Sequence, residues 1–469
     1  MEERALTKRN TVEAAANRTQ RRLFASYGLY GVRRRAEQYK DEKFTALLHH
    51  VTPTLLRESY YRLKHDAASG VDEQTWDEYY LGHYERIEDL HERVHRGSYR
   101  AQPVRRTYIS KEDGRQRPLG IAALEDKIVQ QAIHIVLSQI YEADFMNFSY
   151  GFREGRSQHD ALDALYVGIT QRKINWILDA DIQGYFDNID HEWLMKMLEQ
   201  RIGDIRILRL MQKWLKTGYI ENGKRIRQEV GTPQGAVISP LIANVFLHYV
   251  LDTWAAQWRK NIARGDMIIV RYADDFVIGF QHHTEAIRFL NELKGRVESY
   301  GLKLHPEKTR LIEFGRFASS SRKKSGKGKP ETFDFLGFTH ICSKNKKGGF
   351  FLRRRTIKKR FTRKCKEVKQ ELWRRMHDNI KTTGEWLGTV ITGYTNYYSV
   401  PGNVRTVKAF YTRCVREWLR VLRRRSHKAR NFKWKEHRKY VEWLIPRPRL
   451  VHPFPDLRFK ALKLKVGAG

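Results

Sequence analysis

"VRYADDFVIG", residues 270–279, sets two adjacent aspartates between apolar runs. Two β-like runs around a polar pair predict a hairpin whose turn carries Asp274 and Asp275. Asp is common at turns because its carboxylate bonds nearby backbone, so the pair alone reads as a structural or solvated turn before it reads as chemistry. A second segment shifts the balance. "WILDADIQGYFDNIDH", residues 176–191, begins as a strand on which Asp179 and Asp181 share one face. Asp187 and Asp190 follow at a helix start, where acids suit the helix dipole. Asp181, at the end of a buried-looking strand, has a weaker structural explanation. Strand-borne carboxylates from distant parts of a basic chain suggest a divalent-metal site, because Mg²⁺ takes hard oxygen ligands and leaves positions for water and phosphate. Without a cation, like charges so close would push a carboxylate pKa upward.

A third segment, "GTPQGAVISPLIANVFLHYVLD" (231–252), reads as a Gly-Pro-Gly turn followed by Ser239-Pro240 as helix cap and first turn, then an apolar helix. Gln234 lies in that loop, where glycine lets the backbone come close to a ligand. No GxxxxGK[ST] occurs, which excludes an ATPase-type phosphate loop.

The chain has 469 residues, 89 Lys and Arg against 53 Asp and Glu, and a net charge of +36. The excess is uneven. Residues 341–469 hold 36 Lys and Arg against 8 acids, so +28 of the charge sits there and only +8 in the first 340 residues. That segment also carries five tryptophans, and cationic charge mixed with aromatic surface suits nucleic acid better than a membrane. The three cysteines, Cys342, Cys365 and Cys414, are too scattered for a disulfide framework or a zinc pair, which fits a reducing intracellular compartment. The charged N-terminus is unlike a secretory signal, and no apolar run reaches the roughly 20 residues that would span a bilayer, so a soluble protein is expected.

Residues 9–64 read as helical, with an interruption at Pro53. From about 101 to 313, β-like runs alternate with helical stretches. "SSSRKKSGKGKP" (319–330) reads as a flexible inserted loop. Ile357, Phe361, Cys365, Val368, Leu372 and Met376 recur at helical spacing, and two further helical patterns follow around Pro401-Gly402, which predicts a small basic bundle.

The ordered blocks "DADIQGYFDNIDH", "GTPQGAVISPLIANV", "VRYADDFVIGF", "YGLKLHPEKTRLIEF" and "FDFLGFTH" resemble those of reverse transcriptases, and most closely those of group II intron-encoded reverse transcriptase/maturases. "GVDEQTW", "YRAQPVRRTYISKEDGRQRPLGIAALEDKIVQQA" and "SYGFREGRSQHDAL" are similar to the earlier blocks, and "TGYTNYYSV" and "YVEWLIPRPRLVHPFP" to the thumb. The resemblance spans about residues 55–455. It implies an α+β right-hand polymerase, with fingers and a palm built on an antiparallel sheet flanked by helices, and a C-terminal α-helical thumb. The expected domains are an N-terminal helical extension with the start of the fingers at 1–100, fingers and palm at 101–340 with a flexible basic loop at 316–331, and a basic helical thumb/maturase domain at 341–469.

By the same resemblance Asp181, Asp274 and Asp275 are the catalytic metal ligands, for two Mg²⁺ ions that Mn²⁺ can replace. Lys111 and Arg117 are expected on the nucleotide triphosphate, Phe186 beneath its sugar as a gate against a 2′-hydroxyl, Gln234 near the nascent base pair, and Lys308 on the departing pyrophosphate. Arg353, Arg354, Arg355, Lys358, Lys359, Arg423, Arg424 and Arg425 are the clusters expected to meet nucleic-acid phosphates. The implied function is RNA-directed DNA synthesis on an RNA template from a DNA primer with dNTPs, joined to binding of the group II intron RNA as a maturase, in splicing and retrohoming. The implied setting is the bacterial cytoplasm, at the nucleoid when DNA is engaged. The sequence ends 14 residues after "VHPFP" with no cysteine beyond Cys414, which sets the expectation of an endonuclease-less type. Alternatives are a related polymerase with a host or defence role, or a splicing-only RNA-binding maturase.

Overall fold

The computed structural model describes residues 28–110, 116–227, 229–232 and 235–459. Its helices are α1 (Leu29–Gln38), α2 (Pro53–Tyr61), α3 (Trp76–Tyr80), α4 (His83–Arg96), α5 (Leu124–Asp144), α6 (Gln158–Gln171), α7 (His191–Leu198), α8 (Ile205–Lys216), α9 (Ser239–Leu247), α10 (Thr253–Asn261), α11 (His283–Ser299), α12 (Ala318–Lys324), α13 (Lys358–Arg374), α14 (Ile380–Tyr398), α15 (Val404–Arg423) and α16 (Trp434–Leu444). The strands are β1 (Val104–Ser110), β2 (Gln116–Ile121), β3 (Trp176–Asp181), β4 (Tyr219–Glu221), β5 (Lys224–Ile226), β6 (Met267–Tyr272), β7 (Asp275–Phe280), β8 (Arg310–Glu313), β9 (Phe333–Phe335), β10 (Phe338–Lys344) and β11 (Phe350–Thr356). They form three sheets, ordered β2-β1-β4-β5, β6-β7-β3-β8 and β11-β10-β9, and the fold class is α+β. Among the described residues no helix is long and apolar enough to cross a membrane.

The chain divides into two compact units, each discontinuous in sequence. The first comprises Met1–Arg156, Asp181–Ile262 and Asn291–Pro306; the second comprises Ser157–Ala180, Ala263–Leu290 and Glu307–Gly469. In the first unit α5 is the core. Ile128, Val129, Ala132, Ile133, Val136, Leu137, Ile140 and Tyr141 are all fully buried and form a broad apolar face, and α1 and α2 pack on the helix. Pro53 opens α2 instead of interrupting a helix: Thr52 caps it by accepting from the Leu55 N–H, and proline at N1 forfeits no hydrogen bond. Buried Asp126 of α5 accepts from the Tyr99 hydroxyl and the Gln102 N–H, fixing the segment that leads into β1; burial pushes its carboxyl up to about 6.

Asp204 caps α8. Its carboxylate accepts from the Arg206 N–H at 3.0 Å and from the Leu47 and Leu48 N–H groups at 2.8 and 3.0 Å, and it pairs with the Arg206 guanidinium. Burial opposes ionisation, but these donors outweigh it and bring the carboxyl down to about 2.

In the second unit α6 packs on β6, β7 and β11. The approach is close: a Cβ on Gly168 of α6 would stand 2.8 Å from Ile268 Cδ1, and one on Gly279 of β7 would stand 2.8 Å from Ile268 Cγ1. Ile268 thus fills the space both glycines leave. On α6 itself, fully buried Asp163 receives Arg354 Nη1 at 3.0 Å and is paired with Arg458. Arg354 is only 1% exposed, and burial lowers its pKa.

The sequence reading placed Arg354 among surface cations, and the structure corrects this. The Arg353-Arg354-Arg355 run lies on β11, paired with β10, and a strand alternates its faces, so Arg354 turns inward with Leu352 and Thr356 while Arg355 is exposed. The same hairpin carries strand structure past residue 341, and the helical bundle begins only at Lys358. The basic loop expected at 316–331 contains α12. The bundle of α13–α16 has the predicted stripe: Cys365, Val368 and Leu372 are buried, joined by Leu387, Ile391, Phe410, Cys414 and Trp418. At Gly388 of α14 an added Cβ would meet the Leu444 carbonyl oxygen at 2.5 Å, so this helix touches α16 almost backbone to backbone.

Asp163→Asn strips the countercharge from buried Arg354 and is expected to cost about 3–5 kcal/mol, read as a lower urea midpoint, whereas replacing the whole group, with Asp163→Leu, Arg354→Met and Arg458→Met, recovers most of the loss. Asp204 has a depressed pKa, so its contribution of about 2 kcal/mol is complete above pH about 4 and is lost as pH falls toward 2. Asp204→Asn should therefore flatten the stability–pH curve across that window in acid titrations followed by circular dichroism.

Candidate active site

The segment 267–280 forms the hairpin β6–β7, with Tyr272 paired to Asp275 and Ala273-Asp274 as a two-residue loop. Asp274 therefore sits in the turn and Asp275 is the first residue of β7. Phe276, Val277, Ile278 and Phe280 are fully buried, and Ile269 and Val270 nearly so, which anchors both strands. The two aspartates are half-buried at the end of this apolar frame.

The turn is strained. Ala273 has φ of +57°, a conformation that favours glycine and that an alanine Cβ disfavours by about 1 kcal/mol. Arg271, fully buried, helps hold it by donating from Nη1 to the Ala273 carbonyl oxygen at 2.9 Å. Sequence reasoning passed over Arg271; the available signal was a cation inside the apolar run "IIVRYA". A guanidinium is a fitting anchor because its planar fork donates in fixed directions and it keeps its charge in the interior.

In the same sheet β7 lies beside β3, and the Asn175 N–H donates to the Phe280 carbonyl oxygen at 2.9 Å, so the start of β3 meets the end of β7. β3 ends on Asp181. Two residues earlier, Asp179 is taken by Arg310 of β8 at 3.5 Å, which accounts for one of the two same-face carboxylates. Asp190 is the N-cap of α7, accepting from the Trp193 N–H at 2.8 Å, as the helix-start reading expects.

Beyond β3 the chain is clamped within the first unit. The Asp181 carbonyl oxygen accepts from the His305 N–H at 2.7 Å, and the Gln183 N–H donates to Lys303 at 2.8 Å. Phe186, buried in the turn Tyr185–Asp187, accepts through its carbonyl oxygen from the Thr232 N–H at 2.8 Å, and the Gly231 N–H donates to Ile189 at 2.7 Å. These bonds tie the Phe186 turn to the segment that leads into Pro233-Gln234. Gln234 itself lies outside the described residues, as does Lys111. On the other side of that loop, a Cβ on Gly235 would stand 2.7 Å from the Gly120 carbonyl oxygen of β2, and the Val237 N–H donates to buried Gln130 at 3.0 Å. Ser239 is the first residue of α9; the cap position belongs to Ile238. Arg117 is exposed on β2 opposite Ile109, and Lys308 is exposed in the turn before β8.

Among the described residues no three His, Cys, Asp or Glu side chains are grouped to hold a metal by themselves. The donors at the hairpin suit a divalent ion whose shell is completed by water and phosphate oxygens: they are hard carboxylate oxygens and half-open to solvent.

The predicted nucleic-acid contacts divide. Arg355, Lys358, Lys359, Arg423 and Arg424 are exposed and Arg353 half-buried. Arg424 lies over the Trp373 ring at 5.2 Å and Arg423 donates to the Phe432 carbonyl oxygen at 2.9 Å. Arg425 donates to the Met376 carbonyl oxygen, which ties the end of α15 to the end of α13. Arg425 and Arg354 therefore serve the fold.

The profile of the family described as reverse transcriptase (RNA-dependent DNA polymerase) matches residues 109–340. Protein YkfC of Escherichia coli (strain K12) is 36% identical over 257 residues, which is 48% of this chain and 67% of that protein. The group II intron-encoded protein LtrA of Lactococcus lactis subsp. cremoris is 36% identical over 238 residues, 50% of this chain and 39% of LtrA. An uncharacterized 91 kDa protein in the cob intron of Schizosaccharomyces pombe is 41% identical over 146 residues, 31% of this chain and 18% of its own length. The chain thus spans two thirds of the first relative but well under half of the two intron proteins. With the hairpin aspartates inside the matched region, the chain belongs to the reverse transcriptase family, in the branch that includes the group II intron-encoded proteins.

Proposed function

We propose that the protein is an RNA-directed DNA polymerase that works with a group II intron RNA, binding it as a maturase in splicing and copying it into DNA during retrohoming. The observation that carries the catalytic reading is the Asp274-Asp275 pair, held at a left-handed turn by a buried arginine and framed by apolar strands. A turn that served only to reverse the chain would relax to glycine and have no need of adjacent carboxylates.

In this reading Asp181, Asp274 and Asp275 hold two Mg²⁺ ions, with Mn²⁺ able to replace them. When bound, such ions stabilise the attacking and leaving oxygens of an in-line displacement at the α-phosphate. Arg117 and Lys111 hold the triphosphate and orient it for attack by the primer 3′-hydroxyl. Phe186, backed by the segment ending at Thr232, bounds the sugar and leaves no room for a 2′-hydroxyl, while Gln234 reaches toward the base pair. Lys308, exposed on its turn, supplies a proton donor for pyrophosphate. Arg353, Arg355, Lys358, Lys359, Arg423 and Arg424 meet RNA phosphates through charge. The partners are the intron RNA, an RNA template, a DNA primer and dNTPs, and the setting is a bacterial cytoplasm with access to the nucleoid.

Primer extension on an RNA template tests this directly. Asp274→Ala, Asp275→Ala and Asp181→Ala should each reduce synthesis by at least about a thousandfold while RNA binding is retained; full extension by any one variant overturns that residue's role. At the turn, Ala273→Gly is expected to raise stability by up to about 1 kcal/mol, and Ala273→Val to lower both stability and extension rate, since a β-branched residue tolerates positive φ least. Paired thermal melts and single-turnover extension would separate the two effects.

A further inference from the structure

The first unit contains an open cleft of about 510 Å³ lined by Gly97, Ser98, Tyr99, Arg100, Ala101, Lys213, Lys216, Thr217 and Arg225. Its lining contains four cations and no carboxylate. It contains none of the residues assigned above to metal or nucleotide. It also lies outside the C-terminal segment that carries +28 of the charge, in a stretch of chain whose overall balance is close to neutral.

Three observations make this more than scattered surface charge. The wall is rigid: the Tyr99 hydroxyl donates to buried Asp126 and accepts from Trp214 Nε1 at 3.0 Å, which fixes the 97–101 segment against α8. Lys213 is held at a set point, since its Nζ donates to the Gly97 and Tyr99 carbonyl oxygens at 3.2 and 2.6 Å. The charge is also crowded. Burial lowers the Lys213 pKa, and the neighbouring Arg100 and Arg209 lower it further, whereas no acid contributes to its shift. Fixed like charges beside a solvent-filled cleft destabilise one another until an anion enters. A phosphodiester backbone relieves several of them at once, releasing its own counterions.

We propose that this cleft grips successive backbone phosphates of a structured RNA, as a second basic contact separate from the thumb. Rim cations Arg100, Lys216 and Arg225 take the phosphates, and Lys213 sits behind them as a positioned donor. The proposal rests on the reverse transcriptase/maturase reading for the identity of its ligand as RNA, and its test is separable from that reading.

The test uses the full chain and a synthetic RNA hairpin. In wild type, amine-reactive labelling of Lys213 and Lys216, followed by mass spectrometry, should fall several-fold when the hairpin is bound. In the triple variant Arg100→Gln, Lys216→Gln, Arg225→Gln, affinity for the hairpin should drop at least about tenfold, and the dependence of log affinity on log salt should become shallower by about 3. The triple variant should keep the wild-type thermal midpoint. Undiminished labelling in the wild-type complex overturns the proposal without any substitution. An unchanged affinity and salt slope in the folded variant does so as well. Protection by inorganic triphosphate equal to that by the hairpin would place a small anion in the cleft and overturn the RNA assignment. Wild-type primer extension reports on the polymerase reading by itself, so extension without protection of the cleft sinks this proposal alone.

Discussion

Two adjacent carboxylates must be held still where burial favours neither, and the second unit is organised around that demand. The apolar strands of β6 and β7 anchor deep in the sheet, so the turn has no freedom to splay. Strain at Ala273 is tolerated because the hairpin register and the Arg271 guanidinium over-determine it. Helix α6 then packs closely on the sheet, where Gly168 of the helix and Gly279 of β7 leave room for Ile268. Any loosening of that contact would be felt at the strands, and so at the turn they share.

Arginine plays two opposed parts in this molecule. In the interior, Arg271, Arg354 and Arg201 act as ties: Arg201 gathers the Tyr39, Lys40 and Glu42 carbonyl oxygens and the Asp144 carboxylate into one knot in the first unit. On the surface the same side chain supplies field. A buried guanidinium is costly unless it is paired, and each of these is bonded to a carbonyl or a carboxylate, although Arg354 engages Asp163 through Nη1 alone and leaves Nε and Nη2 without a partner among the described residues. The two populations are indistinguishable by composition and differ only in what lies beside them.

Much of this was legible in the sequence. The hairpin, the strand ending on Asp181, the acid at the helix start at Asp190 and the apolar stripe through Cys365, Val368 and Leu372 all follow from period and turn chemistry, which are local. What was not legible depends on partners far away in the chain. Arg354 reads as one of three surface cations until β10 fixes its strand and turns it toward Asp163, about 190 residues earlier. Pro53 reads as a break until Thr52 is seen to cap the helix behind it. Lys213 reads as an ordinary helix lysine, because nothing in α8 itself announces the backbone carbonyls of residues 97 and 99.

The basic faces of α13–α16 carry a thermodynamic consequence. Cations on one small bundle repel one another, and at low ionic strength that repulsion works against the compact state. An RNA that binds only the folded form removes the repulsion and adds its own binding free energy to folding, by about 2.7 kcal/mol when it is present at a hundred times its dissociation constant. Under the proposed function, the nucleic acid that is copied would then also be a ligand that keeps the chain folded, and the bundle's melting temperature would be a property of the complex rather than of the polypeptide.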